Sequence, residues 1–329
     1  MLDGQQPSLP LHTLEDWLNC SPDNRACPIE HAPRNYQTYP GAQYMLPSDR
    51  TEEERYYLSR PQESSNGSFR LILQHQALKK LFENRILLAP VNLKGDDRVL
   101  DIGTGAGLWI LDLARSVDPA VSMVGVDIES HLFPTSHPQN LEFRIESVTD
   151  LPRKWSDIFS LVHQRLLLLA LQKLQWHEAV REIYRVLRPG GWVQLDESTP
   201  FIVREYPSQP CMEKLCAMFR SLVNSRKLYV DCAGDIPTML EAAGFVDIWR
   251  ESRRVNLGKW AGELGVANHI NYAGVFHGIK TPVLNAGGYG HVTSGEEYDA
   301  LLDGVEREWD ENPGMHQEFI VIWARKPTA

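Results

Sequence analysis

The run Val99-Leu100-Asp101-Ile102-Gly103-Thr104-Gly105-Ala106-Gly107-Leu108-Trp109 constrains this chain more than any other stretch. Apolar residues around one acid lead into three glycines at alternate positions, and an apolar segment with helical character comes next. It reads as a buried strand, a tight turn and a helix start. A sharp strand-to-helix turn needs positive φ, and a ligand can touch backbone closely only where no Cβ intervenes. A dinucleotide fingerprint, G-x-G-x-x-G, would put its third glycine at position 108, where Leu108 stands. The spacing here is G-x-G-x-G, which speaks against a nicotinamide oxidoreductase.

Beyond the turn the chain has the rhythm of an α/β fold. Leu108 to Ser116 predicts a helix, and Val121 to Val126 a strand closing on Asp127. Asp127 lies 24 residues beyond Gly103, where such folds place the acid that accepts both ribose hydroxyls. A carboxylate suits this task because its two oxygens can take two O–H donors at once. Leu141 to Ile145 and Phe159 to Arg165 read as two more strands. Trp176 to Leu187 is an amphipathic helix, ended by Arg188-Pro189-Gly190-Gly191 before a strand begins at Trp192.

The flanks are less regular. Residues 1 to 66 are rich in Pro, Ser, Asn, Gln and charge, with a short helix expected at Leu14 to Leu18 and a helix start at Ser48 or Asp49. Ser68 to Leu88 has helical apolar spacing and is expected to stop at Pro90, with Arg70, Gln74 and His75 as polar positions. Later helices are expected over Cys211 to Val223 and Ile236 to Ala243, followed by a strand from Gly244-Phe245-Val246. Residues 258 to 316 insert before the last strand, Glu318 to Trp323. Within this insertion Ser294-Gly295-Glu296-Glu297 reads as a capping box opening a helix whose Tyr298, Leu301, Leu302, Val305 and Trp309 share one face.

Charge and composition narrow the function classes. Over 329 residues, 43 acids against 33 Lys and Arg give a net charge of −10, which argues against a general nucleic-acid binder. No apolar run approaches the roughly 18 to 20 residues a membrane span needs. Five cysteines, an odd number, and an acidic N-terminus without an apolar block fit a cytoplasmic or nuclear protein. Cys20, Cys27 and His31, and likewise Cys211 and Cys216, lack zinc-finger spacing, so no metal is expected.

The run Asp101 to Gly107 resembles the first signature of the class I methyltransferases that use S-adenosylmethionine. Asp127, Arg188-Pro189-Gly190-Gly191 and the closing Val321-Ile322-Trp323-Ala324-Arg325-Lys326-Pro327 extend the resemblance over about residues 98 to 327. Tyr44, Leu46-Pro47, Asp49 and Glu53, with Arg70-Leu71 and Gln74-His75, resemble the N-terminal segment of fungal secondary-metabolism methyltransferases of the global-regulator and gliotoxin thiomethyltransferase types. In those relatives the two pieces usually lie close together. Here Tyr56 to Phe69 separates them.

The resemblance implies an α/β, Rossmann-like, seven-stranded and mostly parallel sheet with helices on both faces, plus an N-terminal and inserted helical cap. Residues 1–66 would form the N-terminal segment and 67–329 the methyltransferase domain, with cap insertions at about 200–235 and 258–316. It implies S-adenosylmethionine as cofactor, contacted by Tyr44, Asp101, Gly103, Thr104, Gly105, Asp127, Ile128, Ser147, Val148, His163 and Gln164. Ser147 or the backbone at Val148 would meet the adenine, and the exit of the fourth strand at His163 would lie under the methionine end, mostly through backbone. The partner would be a small-molecule acceptor methylated on S, O or N by in-line displacement, with no nucleic acid and no membrane. A thiol needs little help to react, whereas a hydroxyl needs a base, for which His163, His269, His277 and His291 are the candidates. The alternative is a regulator of secondary metabolism that uses the same fold to engage a protein partner.

Overall fold

The computed structural model describes residues 39–40, 42–46, 69–199, 206 and 208–328. Seven strands, β1 (Arg98–Ile102), β2 (Ser122–Asp127), β3 (Leu141–Ile145), β4 (Phe159–Arg165), β5 (Leu187–Thr199), β6 (Val246–Asn256) and β7 (His316–Arg325), form one sheet. Their order is β3-β2-β1-β4-β5-β7-β6. The pairs from β3 to β5 are parallel, and β7 runs antiparallel to both β5 and β6.

The eight α-helices of the described residues are α1 (Phe69–Leu81), α2 (Leu108–Ala114), α3 (Lys173–Val186), α4 (Pro210–Ser225), α5 (Cys232–Ala243), α6 (Gly262–Gly278), α7 (Lys280–Asn285) and α8 (Gly295–Glu311). The period-2 alternation of the strands sorts them into layers. Leu100, Ile102, Val162, Leu195 and Ile322 cover the back face, where they pack with Trp176, Ala179 and Ile183 of α3 and Ile236 and Leu240 of α5. Val99, Met123 and Leu161 point forward onto Trp109, Ile110 and Leu113 of α2. Further along the front face, Val321 and Phe319 meet Leu78 and Phe82, the latter just beyond α1. The central strands are apolar on both sides because both sides are covered.

A second core, made by α4, α6, α7 and α8, forms the cap. Leu215, Phe276, Tyr298, Leu302 and Trp309 fill it, and Met45 and Leu46 of the N-terminal segment are buried in it too. Tyr298 is fully enclosed, and its hydroxyl donates to the carbonyl of Phe276 at 2.6 Å, so the polar atom it brings into the cap is satisfied.

Several expected boundaries move. α1 ends at Leu81 rather than near Pro90, because Glu83 and Asn84 take left-handed backbone (φ 54° and 63°) and the Asn84 amide donates back to the Lys79 carbonyl at 2.8 Å. α3 starts at Lys173, three residues before Trp176, because the Gln172 amide donates to Gln175 Oε1 at 2.9 Å in a glutamine capping box. β5 begins at Leu187: Arg188-Pro189-Gly190-Gly191 forms an irregularity inside the strand, between the Phe159–Leu187 and Leu161–Trp192 pairs. At α8 the Ser294 hydroxyl accepts from the Glu297 amide at 3.2 Å, as a cap should. The Glu297 carboxylate closes on Thr293 instead of Ser294, at 2.7 Å from its amide. The helices expected at Leu14 to Leu18 and from Ser48 or Asp49 lie outside the described residues, as does most of Tyr56 to Phe69. No helix of the described residues is long and apolar enough to cross a membrane.

Candidate functional site

A cavity of about 310 Å³ opens between the carboxyl ends of β1, β2, β4 and β5 and the cap, with the N-terminal segment and α1 along one wall. Ligands of open α/β sheets bind at this end of the strands, and the volume lies at the lower end for drug-sized ligands.

One half is a backbone cradle. Gly103 and Gly105 have φ of +64° and +52° and turn the chain from β1 into α2. A Cβ on Gly103 would stand 2.8 Å from Cδ2 of Leu167, and one on Gly107 the same distance from the Phe143 ring. The Thr104 hydroxyl donates to Asp101 Oδ2 at 2.6 Å, which fixes the turn from inside. At the tip of β2, Asp127 accepts the Gly105 amide at 2.8 Å through Oδ2. Burial pushes its carboxyl up to about 6, against the pull of the backbone N–H groups it accepts. Ile128, Ser147, Val148 and Thr149 continue this wall.

The other half is largely apolar. Leu166 to Leu169, Phe219 of α4, Val275 and Phe276 of α6 and Phe319 of β7 line it, with Arg70, Gln74, Arg165, Ser198, Asn271, Tyr272 and Gln317 as its polar positions. Tyr44 and Leu46 close one side. Glu197 braces the loop after β4: its Oε1 accepts the Leu167 amide at 2.7 Å, and burial pushes its carboxyl up to about 8.

Of the eleven residues expected at the cofactor, Tyr44, Gly103, Thr104, Gly105, Asp127, Ile128, Ser147 and Val148 line the cavity, whereas the side chains of Asp101, His163 and Gln164 do not. His163 points to the front face, where it stacks on Trp109 and lies 1% exposed. Its Nδ1 meets Asp101 Oδ1 at 2.7 Å and its Nε2 meets Asp196 Oδ2 at 3.3 Å. Burial works against a charged ring here, but the two carboxylates outweigh it and raise the pKa. Gln164 points the opposite way, buried in the back face with neither side-chain atom partnered.

The histidines proposed as bases are likewise held elsewhere. His163 is enclosed as described, and His269 sits buried between Glu306 and Asp310, at 3.0 Å and 3.2 Å. His277 lies on the surface near Glu306 at 3.6 Å, and His291 is not among the lining residues. No histidine of the described residues lines the cavity. His75, a polar position of α1, is buried between α1 and α2: its Nε2 meets Asp112 Oδ2 at 3.3 Å and its Nδ1 meets Arg165 Nη1 at 3.2 Å. An arginine only donates, so His75 is neutral with its proton on Nε2, in keeping with burial lowering its pKa to about 4.

A family model described as a methyltransferase domain matches residues 99–191, the span from β1 to the irregularity of β5. Full-length relatives agree. The N-methyltransferase sirN of Leptosphaeria maculans is 27% identical over 316 residues, covering 88% of this chain and 96% of the relative. The N-methyltransferase gliN of Aspergillus fumigatus is 27% identical over 275 residues, covering 78% and 93%. The methyltransferase pytC of Aspergillus terreus is 27% identical over 310 residues, covering 89% and 86%.

Residues 99–191 carry a methyltransferase domain, and the protein is an S-adenosylmethionine-dependent methyltransferase.

The cavity of this methyltransferase fits that cofactor. A glycine turn that a Cβ would fill faces a strand-end carboxylate, and a partly polar wall at Ser147 to Thr149 adjoins an apolar chamber. Sequence reasoning missed most of the chamber of the methyltransferase. Arg165 stood in view as a strand end, but Ser198, Asn271 and Gln317 carry no local motif, and only the fold brings them together.

Proposed function

We propose that the methyltransferase alkylates a nitrogen of a small, largely apolar secondary metabolite held in this chamber. The cradle residues Gly103 to Gly105 hold the methionine and ribose side of the cofactor, Asp127 accepts the ribose hydroxyls, and Ser147 to Thr149 border the adenine. Bound S-adenosylmethionine supplies a methyl carbon already activated by its positive sulfur. The work left to the chain is to hold the acceptor in line with that carbon and to exclude water.

The observation that carries the choice of nitrogen is the combination of largely apolar walls with two arginines, Arg70 and Arg165, among the lining residues. Both desolvation and neighbouring positive charge disfavour an ammonium, so an amine bound here loses its proton and presents its lone pair. No positioned base is then required for the attack. The naming of the sirN and gliN relatives as N-methyltransferases supports the same reading.

The test is transfer of label from S-adenosylmethionine to a panel of cyclic amines, lactams, phenols and dithiols. Label entering nitrogen compounds is expected. Label confined to phenols or thiols overturns the nitrogen reading, and label in none of them favours a regulator that binds cofactor without an acceptor.

A further inference from the structure

Gln317 is the second residue of β7, on the same face as Phe319, and both line the chamber. It is 1% exposed. Its carboxamide has a fixed orientation: Nε2 donates to the Thr199 carbonyl on β5 and approaches the Glu318 carbonyl at 3.4 Å. Two backbone carbonyls on the nitrogen side rule out the flipped amide, which would set oxygen against oxygen. The oxygen side is therefore Oε1, and this buried atom meets no donor among the described residues.

The polar groups nearby are engaged with one another. Arg70 Nη1 donates to Asn271 Oδ1 at 3.4 Å, and Ser198 hydrogen-bonds Tyr272. Gln317 is thus a rigid acceptor in a largely apolar chamber, held in place by the pairing of β7 with β5. Buried acceptors are almost always satisfied, and one that lines a cavity is matched by what enters it.

We propose that Gln317 is a specificity-determining residue that accepts a hydrogen bond from an N–H or O–H of the acceptor molecule. The proposal rests on the reading of this chamber as the acceptor site. It deepens that reading by naming the class: an uncharged molecule with at least one hydrogen-bond donor, since the chamber is largely apolar and Arg70 and Arg165 among its lining residues oppose a cationic donor. A site built to hydrogen-bond a group rejects the analogue lacking it far better than a purely apolar wall can.

The experiment uses the full chain loaded with S-adenosylhomocysteine and two matched probe pairs: 2-quinolinone with N-methyl-2-quinolinone, and indole with 1-methylindole. Affinities are read by titration calorimetry or ligand-observed NMR, in wild type, Gln317→Met and Gln317→Asn. The wild type is expected to prefer the donor-bearing member of each pair by about tenfold or more. Gln317→Met, similar in size but without the amide, is expected to erase that preference by weakening only the donor-bearing probes, with S-adenosylhomocysteine affinity unchanged. Gln317→Asn keeps the amide but withdraws the oxygen, so it gives the same answer should the methionine variant fail to fold. Equal binding of both members to wild type, or a preference that survives in the folded variants, overturns the role of Gln317 alone. If S-adenosylhomocysteine binds but none of the probes does, the acceptor-chamber reading fails and takes this proposal with it.

Discussion

His163 lies flat against Trp109, with ring centroids 3.6 Å apart and planes within 4°. The stack clamps the imidazole between Asp101 and Asp196, and Asp101 in turn holds Thr104 in the glycine turn. A chain of contacts therefore runs from Trp109 of α2 to the glycine turn without entering the cavity.

Replacing His163 by Leu removes the ring that sits between the Asp101 and Asp196 carboxylates under α2. Breaking a buried pair in this way costs about 3–5 kcal/mol. Chemical denaturation of His163→Leu is expected to read a loss of that order, and a loss under about 1 kcal/mol would show the pair is not energetically coupled to the fold. The pH dependence comes from the raised pKa. The folded state holds this proton more tightly than the unfolded chain, so the stabilisation is complete below the ordinary value of 6.5 and fades as pH rises through the folded value. The variant should lack that fade.

Asp127 makes the opposite demand on pH. Its carboxyl titrates at about 6, and only the ionised form offers all its lone pairs to ribose hydroxyls. Cofactor affinity, measured by calorimetry between pH 5 and 8, is expected to be flat above 6 and to weaken by up to about tenfold per unit below it. Asp127→Asn should flatten the profile, and Asp127→Ala should weaken binding more than about tenfold at pH 7.5. Unchanged affinity in folded Asp127→Ala would falsify the ribose assignment.

Glu197 provides a test that needs no ligand. Burial raises its carboxyl from 4.5 to about 8, so between those values the folded state binds a proton that the unfolded chain releases. Stability must then fall as pH rises across this window. Glu197→Gln retains an acceptor for the Leu167 amide and removes the titration. Thermal unfolding is expected to find the variant matched to wild type near pH 5 and more stable by at least about 1 kcal/mol at pH 8. Parallel wild-type and variant profiles would mean that Glu197 is ionised in the fold at neutral pH.

The parts of the molecule that could be read from sequence are those with a local physical signature. The glycine turn, Asp127 and the apolar stripe of α3 each announce themselves, through positive φ, a strand-end position and a 3.6-residue period respectively. α6 gave no such sign, because its apolar residues are spread around the helix, some facing the cap and others α1. The fate of the histidines was equally hidden. His163 and His269 look like any exposed base in sequence, and only the fold reveals that Asp101, Asp196, Glu306 and Asp310 have claimed them. Gln317 stands at the start of a strand with nothing beside it to mark it, and its meaning comes from Thr199, 118 residues away.

The placement of β7 carries a consequence for how the enzyme is made and varied. The glycine turn, Asp127 and the wall at Ser147 to Thr149 all come from the first half of the chain, whereas Phe219, Phe276, Gln317 and Phe319 come from the last third or so. During synthesis the glycine turn and the strands around it can form while the later part of the cavity lining is still untranslated. Because β7 comes after β6 in the chain yet lies between β5 and β6, the cavity wall it supplies exists only once β7 has been made. Substitutions in the later segment can accordingly redraw what is admitted while leaving the glycine turn and Asp127 as they are.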